Sequence, residues 1–246
     1  MRTVHEVHRV PMSEPNTIQE IVDRQTARIM ELEDKVRELH TENEECFRRL
    51  AEFEAPIADP AALMWTLTGR VHPLAATPSE IRIRDVARGL STKLRYNGHT
   101  IVPYTVAEHS VIVSMYVPPE YARQGLLHDA TEAYLGDMIR PIKYRPIMRG
   151  YREAEARLEG VIFERFNIRP TDDSFSAVKR VDDRILCDEI AQLISDVAEP
   201  WDERVPRTLE KFGPALGASI PCLSQRDAEY VFLSRFAELF PEELAA

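Results

Sequence analysis

Cysteine is scarce in this sequence. Its three cysteines, Cys46, Cys187 and Cys222, are scattered through 246 positions without CxxC spacing. That argues against a disulfide framework or a zinc knuckle and fits reduced thiols acting as small hydrophobes. No apolar run approaches the roughly 18 residues that would suggest a bilayer span. The opening residues, MRTVHEVHRVPMSEPN, have no apolar h-region, so no secretory signal is expected and the expected location is cytoplasmic. Positive charge is also in short supply, with 31 Lys and Arg against 41 Asp and Glu and a net charge of −10. Stable nucleic-acid binding is therefore not expected, because its affinity comes from neutralising phosphates with a basic surface. A small anionic ligand remains compatible, since a pocket can be locally positive inside an acidic protein. No internal repeat or low-complexity tract stands out, and no alternating series of strands supports a sheet.

What is present begins with a heptad pattern. Ile18, Val22, Gln25, Ile29, Leu32, Val36, Leu39, Asn43, Cys46, Leu50 and Phe53 recur at alternating steps of four and three, with no Gly or Pro among them. This predicts a coiled-coil helix over 18–53, roughly 54 Å long. Asn43 shares its heptad slot with Ile29, Val36 and Leu50, where one polar residue fixes register and favours a parallel dimer. The alternative is a long amphipathic helix lying on its own domain. Residues 1–17 read as a disordered or extended arm. The two prolines of EAPIADPAA make 54–63 a linker, leaving 64–246 as the main block.

That block reads as all-α. PSEIRIRDVARGLS (78–91) opens with a helix entry signal and carries an apolar stripe. YTVAEHSVIVSMYV (104–117) fits a strand or a buried helix equally well. PPEYARQGLLHDATEAYL (118–135) reads as a helix entered at its prolines, and 151–167 and 174–197 as amphipathic helices. The last helix, 224–240, takes Ser224 as its N-cap.

The chemistry concentrates in QGLLHDATEAYLGD (124–137). On a helix His128 and Glu132 share a face one turn apart, with Asp129 about 100° round. His109 lies upstream in AEHS, and Asp182 and Asp183 lie downstream in VKRVDDRILCDE. Two imidazoles and two carboxylates make a mixed N/O site suited to a divalent transition metal such as Mn, Co, Fe, Ni or Zn. The competing reading is that these are structural histidines with ordinary partners.

The motif order EHS, LLHDATEAYLGDMIRPIK, VKRVDDRILCDE resembles the HD-domain phosphohydrolases, in particular the bacterial 5′-deoxynucleotidases and the phage deoxynucleoside triphosphate hydrolases. The upstream IRIRDVARGLSTKLRYNGHT and the terminal AEYVFLSRF resemble the phage branch. The resemblance covers about residues 64–240 and leaves out the coiled coil. It implies an HD-domain helical bundle with His109, His128, Asp129 and Asp182 as metal ligands. Asp182 is preferred over its rival Asp183 because it stands three residues after Lys179 and seven before Glu189, as in the family pattern. Glu132 matches the general acid/base and Asp137 a second acid at the pocket. Arg95, Lys143 and Lys179 match phosphate contacts, while Tyr96, Gly98 and Pro141 match the base and sugar side. Glu189 is expected to orient a neighbour or pair with an arginine.

The activity so implied is metal-dependent hydrolysis of deoxynucleotides, with a dNTP, dATP first, as substrate. A 5′-deoxynucleotidase acting on dNMPs is the alternative. A different class altogether is a coiled-coil assembly protein that uses the HD domain as a nucleotide sensor. The cofactor expected is a divalent transition metal, with Mg a candidate at a second site. The expected partners are a nucleotide and further copies of the chain through 18–53, with no membrane contact.

Overall fold

The computed structural model describes residues 18–52, 62–196 and 201–244, with side chains over 23–42, 62–196 and 203–243. The expected arm (1–17), most of the expected linker (54–61), and the side chains of Asn43 and Cys46 lie outside the described residues. The chain divides into two compact units, 1–56 and 57–246.

The first unit holds α1 (Ile18–Glu52), 35 residues long. Side chains 23–42 are all exposed, including the heptad residues Ile29, Leu32, Val36 and Leu39. An i,i+3 pair, Arg28 with Glu31, braces the polar surface.

The second unit is an all-α bundle. Its only regular strands among the described residues are β1 (Met64–Trp65) and β2 (Arg70–Val71), a two-residue antiparallel pair. The helices are α2 (Ile83–Thr92), α3 (Val106–Tyr116), α4 (Ala122–Leu127), α5 (Glu132–Leu135), α6 (Arg140–Lys143), α7 (Arg149–Arg165), α8 (Asp172–Leu193), α9 (Trp201–Phe212) and α10 (Gln225–Leu239). The ambiguous segment 104–117 is thus a helix. Thr105 caps it, its hydroxyl oxygen accepting from Glu108 N, and eight of its eleven residues are buried.

A helix apolar on all sides belongs in the middle of a protein, and α3 sits between two cores. Val106 and Ala107 join Val86 and Leu90 of α2, Leu126 and Leu127 of α4, Leu158 and Ile162 of α7, and Phe232 and Phe236 of α10. Ile112 and Val113 join Tyr104, Ile220, and Val178, Val181 and Ile185 of α8. His109 is carried into this interior and is fully buried.

Several elements depart from expectation. The helix expected to enter at Pro78 begins at Ile83, because 78–80 form a separate 3₁₀ turn followed by extended Ile81 and Arg82. The helix expected over 118–135 breaks after Leu127: Ala130 N bonds Leu127 O and Glu132 N bonds Asp129 O, both i to i−3. This 3₁₀ tightening eclipses residues three apart, so Asp129 and Glu132 come to share a side, where a regular helix would pair His128 with Glu132. Helix α9, with Pro206 inside it, was not foreseen, since prolines flank and interrupt its pattern.

Helix α5 is held close. A Cβ on Gly89 of α2 would lie 2.6 Å from Ala133 Cβ and 2.9 Å from its carbonyl oxygen, so only glycine permits this approach. No helix is long and apolar enough to cross a membrane among the described residues.

Candidate metal centre

Each histidine is oriented by what its Nδ1 meets. His128 Nδ1 lies 2.8 Å from the Gly125 carbonyl, which only accepts, so Nδ1 carries the proton. His109 Nδ1 lies 2.8 Å from Glu189 Oε1. Burial would raise the Glu189 carboxyl, but Arg95, His109 and Tyr96 together lower it, so it accepts from His109 as a carboxylate. Both Nε2 atoms therefore point a lone pair inward when the rings are neutral, and both are buried without a hydrogen-bond partner. Such backing of Nδ1 is the usual support of metal-binding histidines.

Carboxylates face the two Nε2 atoms. Asp129 Oδ2 lies 3.1 Å from His128 Nε2 and 3.6 Å from His109 Nε2. Asp182 Oδ1 lies 3.4 Å from His109 Nε2. One ligand atom from each of His109, His128 and Asp129 falls within 4.8 Å of the others, a buried group able to hold a metal ion. Asp183 stands apart, engaging Arg140 at 3.0 Å and Lys179. Asp182 Oδ2 takes Arg140 at 2.8 Å and Lys179 at 3.0 Å, which leaves Oδ1 turned toward His109.

The electrostatics match a site built for a cation. Burial would raise Asp129, yet His128 and His109 pull it well down. Asp182 is likewise held far below the carboxylate range, against burial, chiefly by His109. Burial opposes charge on His128, but Asp129 and Asp182 outweigh it and lift the ring to about 8. Glu132 is pushed well above its ordinary value by burial and by Asp129 and Asp137, and its Oε2 has no partner. Asp137 is raised mainly by burial, with Asp129 adding to it and Arg95 opposing.

The centre opens into a cavity of about 460 Å³, a size ordinary for small-molecule sites. His128, Asp129, Asp182, Glu132, Asp137, Arg95, Lys143, Lys179, Tyr96 and Pro141 all line it, while His109 lies buried behind. Gly98 is not among the residues that line it. Instead it continues a run of positive φ through Tyr96 (56°), Asn97 (53°) and Gly98 (75°). Positive φ at a tyrosine is strained and persists only where other contacts enforce it. Here the Tyr96 hydroxyl donates to Glu189 Oε2 at 2.7 Å.

Glu189 thus anchors His109, Tyr96 and Arg95, whose Nη2 lies 3.1 Å away. The expected phosphate contacts already have acidic partners, Arg95 with Glu189, Lys143 with Glu155 and Lys179 with the aspartates. Among the lining residues that escaped the sequence reading are Arg140, Gln124 and Glu159. Arg140 stands three residues from both Asp137 and Lys143, a spacing that offered a signal. Gln124 stands one turn before His128, and nothing in the sequence marks Glu159.

No family model matches the sequence. The chain is 35% identical over 162 residues to the uncharacterized protein YfdR of Escherichia coli K12, covering 65% of this chain and 85% of that one. It is 35% identical over 136 residues to an uncharacterized protein of Rhodobacter capsulatus, covering 50% of this chain and 69% of the relative. At that identity and over that much of YfdR, the chain belongs to the YfdR family.

Proposed function

We propose that this chain is a divalent-metal-dependent phosphohydrolase of deoxynucleotides, with a dNTP, dATP first, as substrate and tripolyphosphate and the deoxynucleoside as products. The observation that carries the reading is the pair of inward, unpartnered imidazole Nε2 atoms facing Asp129 and Asp182 at the base of a cavity lined by cationic side chains. Nitrogen and carboxylate donors in that mixture suit Mn, Co, Fe, Ni or Zn. Bound there, such an ion would supply Lewis acidity toward a phosphate oxygen and activation of water near neutral pH.

The protein's own groups supply the rest. Arg95 has a buried Nε without a partner, and Arg140, Lys143 and Lys179 add positive charge to the wall. Such fixed cations offset the phosphate oxygens that otherwise repel an attacking water. Burial and its acidic neighbours push the Glu132 carboxyl up, which favours its holding at a carboxyl oxygen the proton that the departing 5′-oxygen needs. Glu189 keeps His109, Tyr96 and Arg95 in place without entering the chemistry.

The test is a panel of dNTPs, dNMPs, ribonucleotides, ppGpp and cyclic dinucleotides, assayed for phosphate, pyrophosphate and tripolyphosphate with Mn²⁺, Co²⁺, Zn²⁺ or Mg²⁺. Tripolyphosphate from dATP, abolished by a chelator, is expected. Phosphate from dAMP with no action on dATP would move the assignment to a 5′-deoxynucleotidase. Binding without hydrolysis would move it to a nucleotide-sensing assembly protein. The exposed heptad residues of α1 support self-association of a cytoplasmic enzyme. Deleting residues 1–56 is expected to reduce oligomer size in sedimentation while hydrolysis persists; an unchanged size would refute that role.

A further inference from the structure

Gln124, on α4 one turn before His128, is 4% exposed and lines the cavity. Its side-chain amide makes no hydrogen bond among the described residues. The comparable glutamine of α8 is fully engaged: Gln192 donates to the Ala218 carbonyl at 2.8 Å and accepts from Ile220 N at 3.3 Å. An amide that faces the cavity without a protein partner is free to bond a ligand there. Glu159, on the α7 side of the same cavity, also has no hydrogen bond or ion pair among the described residues.

The lining divides by chemistry. Arg95, Arg140, Lys143 and Lys179 suit phosphates. Gln124 and Glu159, with apolar Phe175 and Leu186, do not. A carboxylate repels an anion but accepts from an amino group, and a glutamine amide donates and accepts side by side. That pair of functions matches the N6/N7 edge of adenine.

We propose that Gln124 and Glu159 form a subsite for the uncharged end of the substrate, an amino-bearing nucleobase. This rests on the nucleotide reading above and deepens it, since base choice would come from these two side chains while the cations hold any phosphate chain.

Binding of the two expected products separates the roles without turnover. Deoxyadenosine and inorganic tripolyphosphate are titrated into metal-loaded full-length protein, wild type, Gln124→Leu and Glu159→Gln, and the melting temperature of each is measured. Gln124→Leu is expected to weaken deoxyadenosine at least tenfold, leave tripolyphosphate unchanged, and melt no lower than wild type. Glu159→Gln is expected to weaken deoxyadenosine less and to relax discrimination against deoxyguanosine. Unchanged deoxyadenosine binding in Gln124→Leu, equal loss of both ligands, or a lowered melting temperature would overturn the subsite. Wild-type protein that binds tripolyphosphate but no deoxynucleoside would overturn it while sparing the phosphate reading. Binding of neither would remove both.

Discussion

Buried acids occur in two settings within this bundle. In the scaffold, Asp85 accepts from Thr66 Oγ1, Thr68 N and Thr68 Oγ1, each at 2.8 Å. Glu108 accepts from Cys222 N and Leu223 N, and Asp188 from the amides of Leu216, Gly217 and Ala218. Each of these carboxylates ties a loop to a helix by accepting from mostly part-buried loop donors. Around the cavity the pattern reverses. Glu132 Oε2 and the Nε2 atoms of His109 and His128 have no hydrogen-bond partner, and Glu159 has none among the described residues. Isolated unmet atoms also occur in the scaffold, such as Ser110 Oγ and Tyr134 Oη, but at the cavity they are imidazole and carboxyl atoms gathered around one space, which supports the proposed metal site.

The largest expected effect that would break this comparison lies at the cavity. Under the proposed activity, Glu132→Gln should lower hydrolysis by at least about 100-fold, the scale of losing an acid–base group. Its melting temperature should not fall, because its Oε2 has no partner to lose. Tripolyphosphate release and thermal unfolding check this, and a loss of fold would make this acid scaffold.

Next comes the converse at Glu108. Glu108→Ala leaves the part-buried N–H groups of Cys222 and Leu223 without their carboxylate and should cost about 1–3 kcal/mol in urea unfolding. Activity per folded molecule should be retained. If activity vanished with stability intact, the division between the two sets would be wrong.

The smallest effect is a pH dependence at Glu159. Burial lifts its carboxyl from 4.5 to about 7, against His128. The unfolded chain ionises near the lower value and the folded chain near the higher. Its contribution to stability is thus present below about 4.5 and lost as pH rises toward 7. Glu159→Gln should match wild type at about pH 4 and exceed it at about pH 8 by about 1–2 kcal/mol, less than the full shift implies because the cavity admits solvent. Unfolding curves at the two pH values decide it; a difference between Glu159→Gln and wild type that does not grow between them would mean Glu159 is not an unmet acid.

Much was legible because it is local. The heptads of α1, the Ser224 cap and the amphipathic stripes of α7 and α8 depend on neighbours within a turn or two, and helices follow there. The order of His109, His128, Asp129 and Asp182 was legible as a donor set. The segment 104–117 was not, because a chain buried on every side loses the periodicity that separates strand from helix. The break after Leu127 was hidden for another reason: no Gly or Pro marks the four residues between α4 and α5.

The amino-acid sequence alone determined that the second unit would be helical and that two imidazoles and several acids were at hand, since propensity and residue type are properties of short stretches. Tertiary packing decided which acids the backbone would occupy and which nitrogens would face the cavity. Asp182 and Asp183 are neighbours of identical chemistry, and only the approach of α3 to α8 turns one of them toward His109. Gln124 and Glu159 are far apart in the chain and meet one cavity because α4 and α7 share a core, a relation set by long-range burial of apolar side chains.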